Sequence, residues 1–141
     1  MYEILDFIAD CYSPILLICF VVACTNALRR KKYPLVIRGI LFLVMALLFS
    51  YGVMFADHHF MWFARASLDY STHTAVALSG VMAIAFMGWS KAWLGASLLG
   101  YGLLMLYQRY HTVLDIAVTV LVIAPFLSGV FYFLRRQCDS R

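Results

Sequence analysis

The sequence predicts an all-α fold, a polytopic membrane helix bundle of about five transmembrane helices with a short interfacial helix at its N-terminus. Hydrophobic residues make up 65% of the 141 residues and charged residues only 13%, whereas a soluble domain carries roughly 25% charged residues. The mean hydropathy of +0.87 agrees. The apolar residues form long runs without alternation at a period of two, which argues against a β-barrel. This length fits a single domain, residues 1–141.

The first element is an amphipathic stretch over residues 1–12. Acidic and apolar residues alternate there, a pattern typical of a helix that lies in the membrane interface. Because a signal peptide begins with positive charge, these acidic residues lead us to expect no cleavable signal. Pro14 follows at the start of the first span, where a proline is tolerated.

Five apolar runs approach the length that crosses a bilayer core, about 20 residues. They occupy residues 13–134, and the third and fourth runs are the shortest. We expect the spans at approximately Ser13–Leu28, Leu35–Ala56, Thr72–Trp89, Ala92–Tyr107 and Thr112–Leu134.

Lysine and arginine predict the orientation of the bundle. The block Arg29–Lys32, the single Lys91 and the tail 135–141 fall on one side of five spans. Because cytoplasmic loops are rich in these residues, we expect that side, with the C-terminus, to be cytoplasmic and the N-terminus to be outside. The net charge is +4, and its basic residues flank apolar runs. This position indicates anionic lipid rather than nucleic acid as the partner.

The histidines fall on the predicted extracytoplasmic side, where polar residues need a functional explanation. His111 and Asp115 are four residues apart at the start of the fifth span. On a helix they share one face, so Asp115 can accept a ring N–H from His111 and leave the other ring nitrogen free as a nucleophile or ligand. A purely structural His–Asp pair explains this spacing equally well.

A second polar group precedes the third span. Ser71 or Thr72 can cap that helix and place His73 in its first turn, where free N–H groups and the helix dipole favour phosphate. Alternatively, Ser71 only caps the helix and His73 is an interfacial side chain. Two such helix starts on one face, with Arg109 beside the second, are typical of a phosphoryl-transfer site.

Two segments, DYSTHTAVAL from Asp69 to Leu78 and RYHTVLDI from Arg109 to Ile116, resemble the type 2 phosphatidic acid phosphatase superfamily, closest to its sphingomyelin synthase-like branch. The resemblance implies that His111 attacks phosphorus, that Asp115 orients it, and that His73 is the general acid and base. It implies no metal and no other cofactor. The phosphate-binding residues that it implies are Arg109, Arg65, Ser71, Thr72 and His58.

The chain departs from the family pattern at several positions. Thr72 stands where the family has glycine, and Met105 stands where the phosphatase branch has arginine. The first motif of the family is a lysine followed after six residues by Arg-Pro. At that spacing this chain has His58 followed by Arg65 and Ala66. The family has six spans, whereas about five are expected here.

We therefore expect an integral membrane enzyme that hydrolyses a lipid phosphate ester at the extracytoplasmic face, a lipid phosphate phosphatase. Transfer of a phosphorylated head group to a lipid hydroxyl, as in the sphingomyelin synthases, stays open. A non-catalytic protein that binds lipid or haem is also still possible from the sequence. His73 and His111 would be the axial ligands of a haem, and His58 and His59 could instead hold a metal ion. The sequence leaves the head group and the oligomeric state open.

Small residues within the spans have structural interpretations. The four cysteines show no metal-ligand spacing, so we expect them to pack as small apolar side chains. Glycines of the third and fourth spans are expected to allow close helix packing. They are Gly80, Gly88, Gly95, Gly100 and Gly102.

Overall fold

A computed structural model describes the backbone of residues 2–139 and the side chains of residues 7–137. Within residues 2–139 the secondary structure is entirely helical, as predicted. The helices are α1 (Tyr2–Arg29), α2 (Tyr33–Phe60), α3 (Trp62–Arg65), α4 (Thr72–Phe86), α5 (Lys91–Tyr107) and α6 (Val113–Asp139).

The first helix is longer than expected. The predicted interfacial stretch and the first span form one continuous helix, α1, which contains Pro14. A separate interfacial helix over residues 1–12 is therefore not confirmed. At the other terminus α6 continues to Asp139, so the expected tail 135–141 begins as helix.

Within the described residues, three helices are long and apolar enough to cross a membrane: Phe7–Arg29, Tyr33–Phe60 and Val113–Gln137. The helix α4 is also apolar but has 15 residues, and α5 has 17. At 1.5 Å per residue these two helices are roughly 22 and 26 Å long, against a hydrocarbon core of about 30 Å. Crossing by α4 and α5 therefore stays a prediction.

The short helix α4 forms the centre of the bundle and packs against α1, α2, α5 and α6. Its alanines Ala75, Ala77 and Ala83 are completely buried, because a helix that is apolar on all sides requires neighbours on all sides. Its glycine Gly80 faces Leu16 of α1. This central helix positions the residues at both ends of the bundle.

The helix directions separate two groups of polar residues. The starts of α4 and α6 meet the ends of α2 and α5 at one end, which we call the histidine end because it holds His58, His59, His73 and His111. The opposite end, the basic end, comprises the α1–α2 loop, the α4–α5 turn and the end of α6. Its cations are Arg29, Arg30, Lys31, Lys32, Arg38, Lys91, Arg135 and Arg136.

Candidate active site

The first turn of α4 is built around Ser71. The Ser71 hydroxyl accepts a hydrogen bond from the Thr74 N–H at 3.3 Å and lies 2.8 Å from Thr74 Oγ1. The predicted cap is thus confirmed, and His73 lies exposed in the first helical turn. Because Ser71 is completely buried, its hydroxyl supports the helix end rather than facing solvent. The neighbouring Thr72 is half-buried.

The start of α6 is a reciprocal capping box. Asp115 Oδ2 accepts hydrogen bonds from the Thr112 N–H at 2.8 Å and from the Thr112 hydroxyl at 2.7 Å. In return, the Asp115 N–H donates to Thr112 Oγ1 at 3.2 Å. This exchange satisfies N–H groups that have no partner within the helix. Asp115 is therefore part of the helix cap and is only 6% exposed.

The prediction that His111 donates a hydrogen bond to Asp115 is wrong. The helix α6 begins at Val113, so His111 lies in the preceding turn and does not share a helix face with Asp115. The Asp115 oxygens are instead engaged by backbone and hydroxyl donors. The ring atom His111 Nδ1 lies 3.5 Å from Asp69 Oδ2, and the His111 side chain is 10% exposed while that of Asp69 is 75% exposed.

The loop before α4 is attached to α6 and α2. The Asp69 N–H donates to Asp115 Oδ1 at 2.8 Å, and the Ser71 N–H donates to Thr119 Oγ1 at 3.1 Å. On the other side, the Tyr70 hydroxyl donates to the Ser50 carbonyl at 2.9 Å. Burial raises the pKa of Tyr70, so its phenol remains a neutral donor. The two sequence motifs therefore meet at one end of the bundle, as predicted.

Tyr110 connects His73 with the turn that contains His111, since the His73 and Tyr110 ring centroids are 6.5 Å apart. Arg109 precedes it in a left-handed conformation with φ of 57° and an exposed side chain. Met105, which stands where the phosphatase branch has arginine, is 1% exposed in the core. Arg109 is therefore the guanidinium that this turn presents to solvent.

The residues of the expected first motif lie apart from this cluster. His58 is exposed in the last turn of α2, and Arg65 is exposed at the end of α3. The left-handed Met61 redirects the chain between these helices, and Asp57 Oδ1 accepts the Phe63 N–H at 2.8 Å. Among the residues that the structure describes, no hydrogen bond or ion pair joins His58 or Arg65 to the other histidines. Their phosphate-binding role stays a prediction.

A cavity of about 220 Å³ opens beside His73. It continues into an apolar groove of about 250 Å³ between α1, α2 and α4, because the two share Ser13, Tyr51 and Val76. The polar mouth is completed by Asp10, Thr72 and His73. The groove is completed by Pro14, Leu16, Leu17, Leu43, Leu47 and Gly80. A polar mouth above an apolar groove matches the two chemical parts of a lipid.

Sequence reasoning missed four residues of this site: Asp10, Tyr51, Asp69 and Tyr110. Asp69 has a signal in the sequence, since it opens the motif that leads to His73. The contacts of Asp10 and Tyr51 depend on how α1 and α2 pack on α4, and no local pattern contains that information.

The described part of the chain has no arrangement of side chains that could ligate a metal ion. Within residues 7–137 no cluster of three His, Cys, Asp or Glu side chains is arranged to hold a metal ion. Cys11, Cys19 and Cys24 are free and half-buried along α1, which agrees with their expected packing role. Cys138 lies outside the described side chains.

Comparisons with protein-family models, with curated proteins and with solved structures find no match. The function is therefore argued from the geometry of the site and from the two motifs.

Proposed function

We propose that the protein is a membrane enzyme that cleaves a lipid phosphate ester through a phosphohistidine and releases inorganic phosphate. One observation carries this proposal: His73 opens onto a polar mouth that continues into an apolar groove, and the turn containing His111 lies at the same end of the bundle. We further propose that α4 and α5 cross the membrane, so that this end faces the extracytoplasmic side.

The chemistry follows from the two rings. Because Nδ1 of His111 is buried 3.5 Å from Asp69 Oδ2, we assign Nε2 as the nitrogen that attacks phosphorus. The N–P bond forms as the P–O bond to the lipid breaks, and His73 donates a proton to the departing lipid oxygen. Water then gives a proton back to His73 and attacks phosphorus. The N–P bond breaks, phosphate leaves and His111 is restored.

The surrounding groups stabilise charge and position the rings. The Asp69 carboxylate balances the positive charge that His111 acquires when it bonds to phosphorus. Asp115 is a positioning residue, because it holds the Asp69 backbone at 2.8 Å. The exposed Arg109 is the proposed ligand of the phosphate oxygens, because the N–H groups of Ser71, Thr72 and Thr74 already have acceptors.

The substrate class follows from the groove. Its apolar lining between α1, α2 and α4 favours a hydrocarbon chain, whereas a water-soluble phosphate ester would leave it unfilled. We therefore propose lipid phosphates rather than soluble phosphate esters as substrates.

The decisive experiment measures phosphate release from a panel of lipid phosphates in detergent, with wild type and His111→Ala. Removal of the nucleophile is expected to lower the rate at least about 1,000-fold. His59→Ala is the matched control, since His59 is exposed and packs only on Phe60 among the described rings. Turnover of substrate labelled in its phosphate should leave an acid-labile label on wild type and none on His111→Ala. A folded wild type that releases no phosphate from any of these lipids would contradict hydrolysis.

Transfer of a phosphorylated head group is the second candidate. The Asp10 carboxylate and the Tyr51 ring on the mouth suit a head-group ammonium through charge and cation–π attraction. With head-group-labelled phospholipid and a lipid alcohol present, transfer moves the label to the alcohol. Label that appears only in water would exclude transfer, and Asp10→Asn should weaken transfer without affecting release from lipids that lack an amine.

A further inference from the structure

A second groove lies at the opposite end of the molecule from the candidate active site. It has a volume of about 220 Å³ and runs between α4, α5 and α6. Its lining is apolar apart from Lys91 at the start of α5 and Ser128 of α6. The other lining residues are Val81, Met82, Ala85, Leu94, Gly95, Phe131 and Tyr132.

No acidic side chain that the structure describes lies at the basic end. All the acidic residues with described side chains, Asp10, Asp57, Asp69 and Asp115, lie toward the histidine end. The described part of the basic end contains only lysine and arginine among its charged residues. Such an accumulation of positive charge attracts anions from outside the chain.

Lys91 is the cation that the groove itself presents. Arg135 is already engaged, because its Nη1 donates to the Phe86 carbonyl at 2.7 Å and its guanidinium lies 5.8 Å from the Phe86 ring centroid. Lys91 Nζ lies 5.7 Å from the Phe131 ring centroid. This cation–π contact leaves its N–H donors free. Within residues 7–137 no carboxylate lies within ion-pair distance of it.

We infer that this groove binds an anionic phospholipid from the leaflet that faces the basic end. One acyl chain lies along the apolar lining, and the phosphate of the head group pairs with Lys91. The charge selects this occupant: a second copy of the chain would bring its own lysines and arginines to the same place, and a neutral lipid would leave the charge unbalanced. The site is separate from the proposed catalysis.

The test compares phosphatidylglycerol with phosphatidylcholine by native mass spectrometry of the purified full chain. Wild type is expected to bind phosphatidylglycerol about tenfold more tightly. Lys91→Met keeps the length of the stem and removes the charge, so it should abolish most of this preference. Lys32→Met is the matched control, because Lys32 is exposed at the same end but does not line the groove. A preference that survives Lys91→Met and falls with Lys32→Met would overturn the proposal.

A second variant tests the groove independently of charge. Gly95 lines the groove and has nothing within 4 Å of an added Cβ, so the side chain of Gly95→Leu is expected to occupy the groove. Binding of both lipids should fall together. Unchanged lipid binding, or a change of oligomeric state without loss of lipid, would overturn the assignment. Phosphate release by Lys91→Met should equal that of wild type, which separates this inference from the proposed function.

Discussion

Asp115 belongs to two overlapping sequence patterns, and its contacts show which of them the fold uses. As the end of His-x-x-x-Asp it was expected to accept a ring N–H from His111. As the end of Thr-x-x-Asp it completes the capping box with Thr112, and it also accepts the Asp69 N–H. The backbone donors prevail because a helix start leaves N–H groups that must find acceptors when they are buried.

Replacement of Asp115 by asparagine is expected to destabilise the protein by about 1–3 kcal/mol, since one of two accepting oxygens becomes an NH₂ donor opposite other donors. The quantity to measure is the free energy of unfolding in detergent. Asp57→Asn is the matched control: Asp57 accepts the Phe63 N–H through one oxygen, and the asparagine oxygen can replace it. Equal losses in the two variants would contradict the bonding described for Asp115.

At the scale of helices, several turns place a non-glycine residue in the left-handed conformation. Lys31 after α1 and Arg109 after α5 both have φ of 57°. Both turns have the same pair of Schellman hydrogen bonds: Lys31 and Lys32 donate to Leu28 and Ala27, and Arg109 and Tyr110 donate to Leu106 and Met105. This conformation costs an L-residue roughly 1 kcal/mol relative to glycine.

Arg109→Gly and Lys31→Gly are therefore both expected to stabilise the fold by about 0.5–1 kcal/mol. Only Arg109→Gly should lower phosphate release, because it alone removes a proposed phosphate ligand. Unfolding and turnover are measured on the same preparations. If both variants keep full activity, Arg109 does not bind substrate.

Of the glycines expected to allow close packing in the third and fourth spans, only Gly80 meets a neighbouring helix. A Cβ added at Gly80 of α4 would lie 3.1 Å from Leu16 Cδ1 and 3.3 Å from Leu16 Cβ. The expectation is wrong for Gly95, Gly100 and Gly102, which have nothing within 4 Å. Gly88 likewise meets nothing, and its φ of +99° gives it a conformational role in the α4–α5 turn.

Gly80→Leu should force α1 away from α4 and reduce stability by about 1–3 kcal/mol, whereas Gly100→Leu should be close to neutral. Thermal unfolding of the two variants in the same detergent measures the difference. A neutral Gly80→Leu would mean that α1 is free to move away from α4.

At the scale of the whole molecule, charge and hydrophobicity define the surface. Large apolar side chains such as Leu48, Trp93, Leu99 and Leu121 are exposed around the bundle, as expected where lipid is the solvent. The described acidic side chains and the histidines lie toward one end together with Arg65 and Arg109, and the other described lysines and arginines lie toward the opposite end. The positive-inside rule then predicts which end is cytoplasmic.

Single cysteines in a cysteine-free background test this orientation and the number of crossings. Ala66→Cys, between α3 and α4, should react with a membrane-impermeant maleimide from the extracytoplasmic side. Ser90→Cys, at the start of α5, should react only after the membrane is permeabilised, as Lys32→Cys should. Labelling of Ser90→Cys from the same side as Ala66→Cys would contradict the crossing of α4 and α5.

The sequence by itself determined the helical class, three of the five apolar spans, the placement of the histidines at the end opposite most of the basic residues, and the Ser71 cap that places His73. These features depend on composition and local spacing, which are properties of neighbouring residues. Only the tertiary structure decided that Asp69 rather than Asp115 lies within ion-pair distance of His111, and that α1 and α2 form a groove beside His73. It also showed α1 to be one helix through Pro14. These outcomes depend on which distant groups compete for the same donors and surfaces, and spacing along the chain does not record that competition.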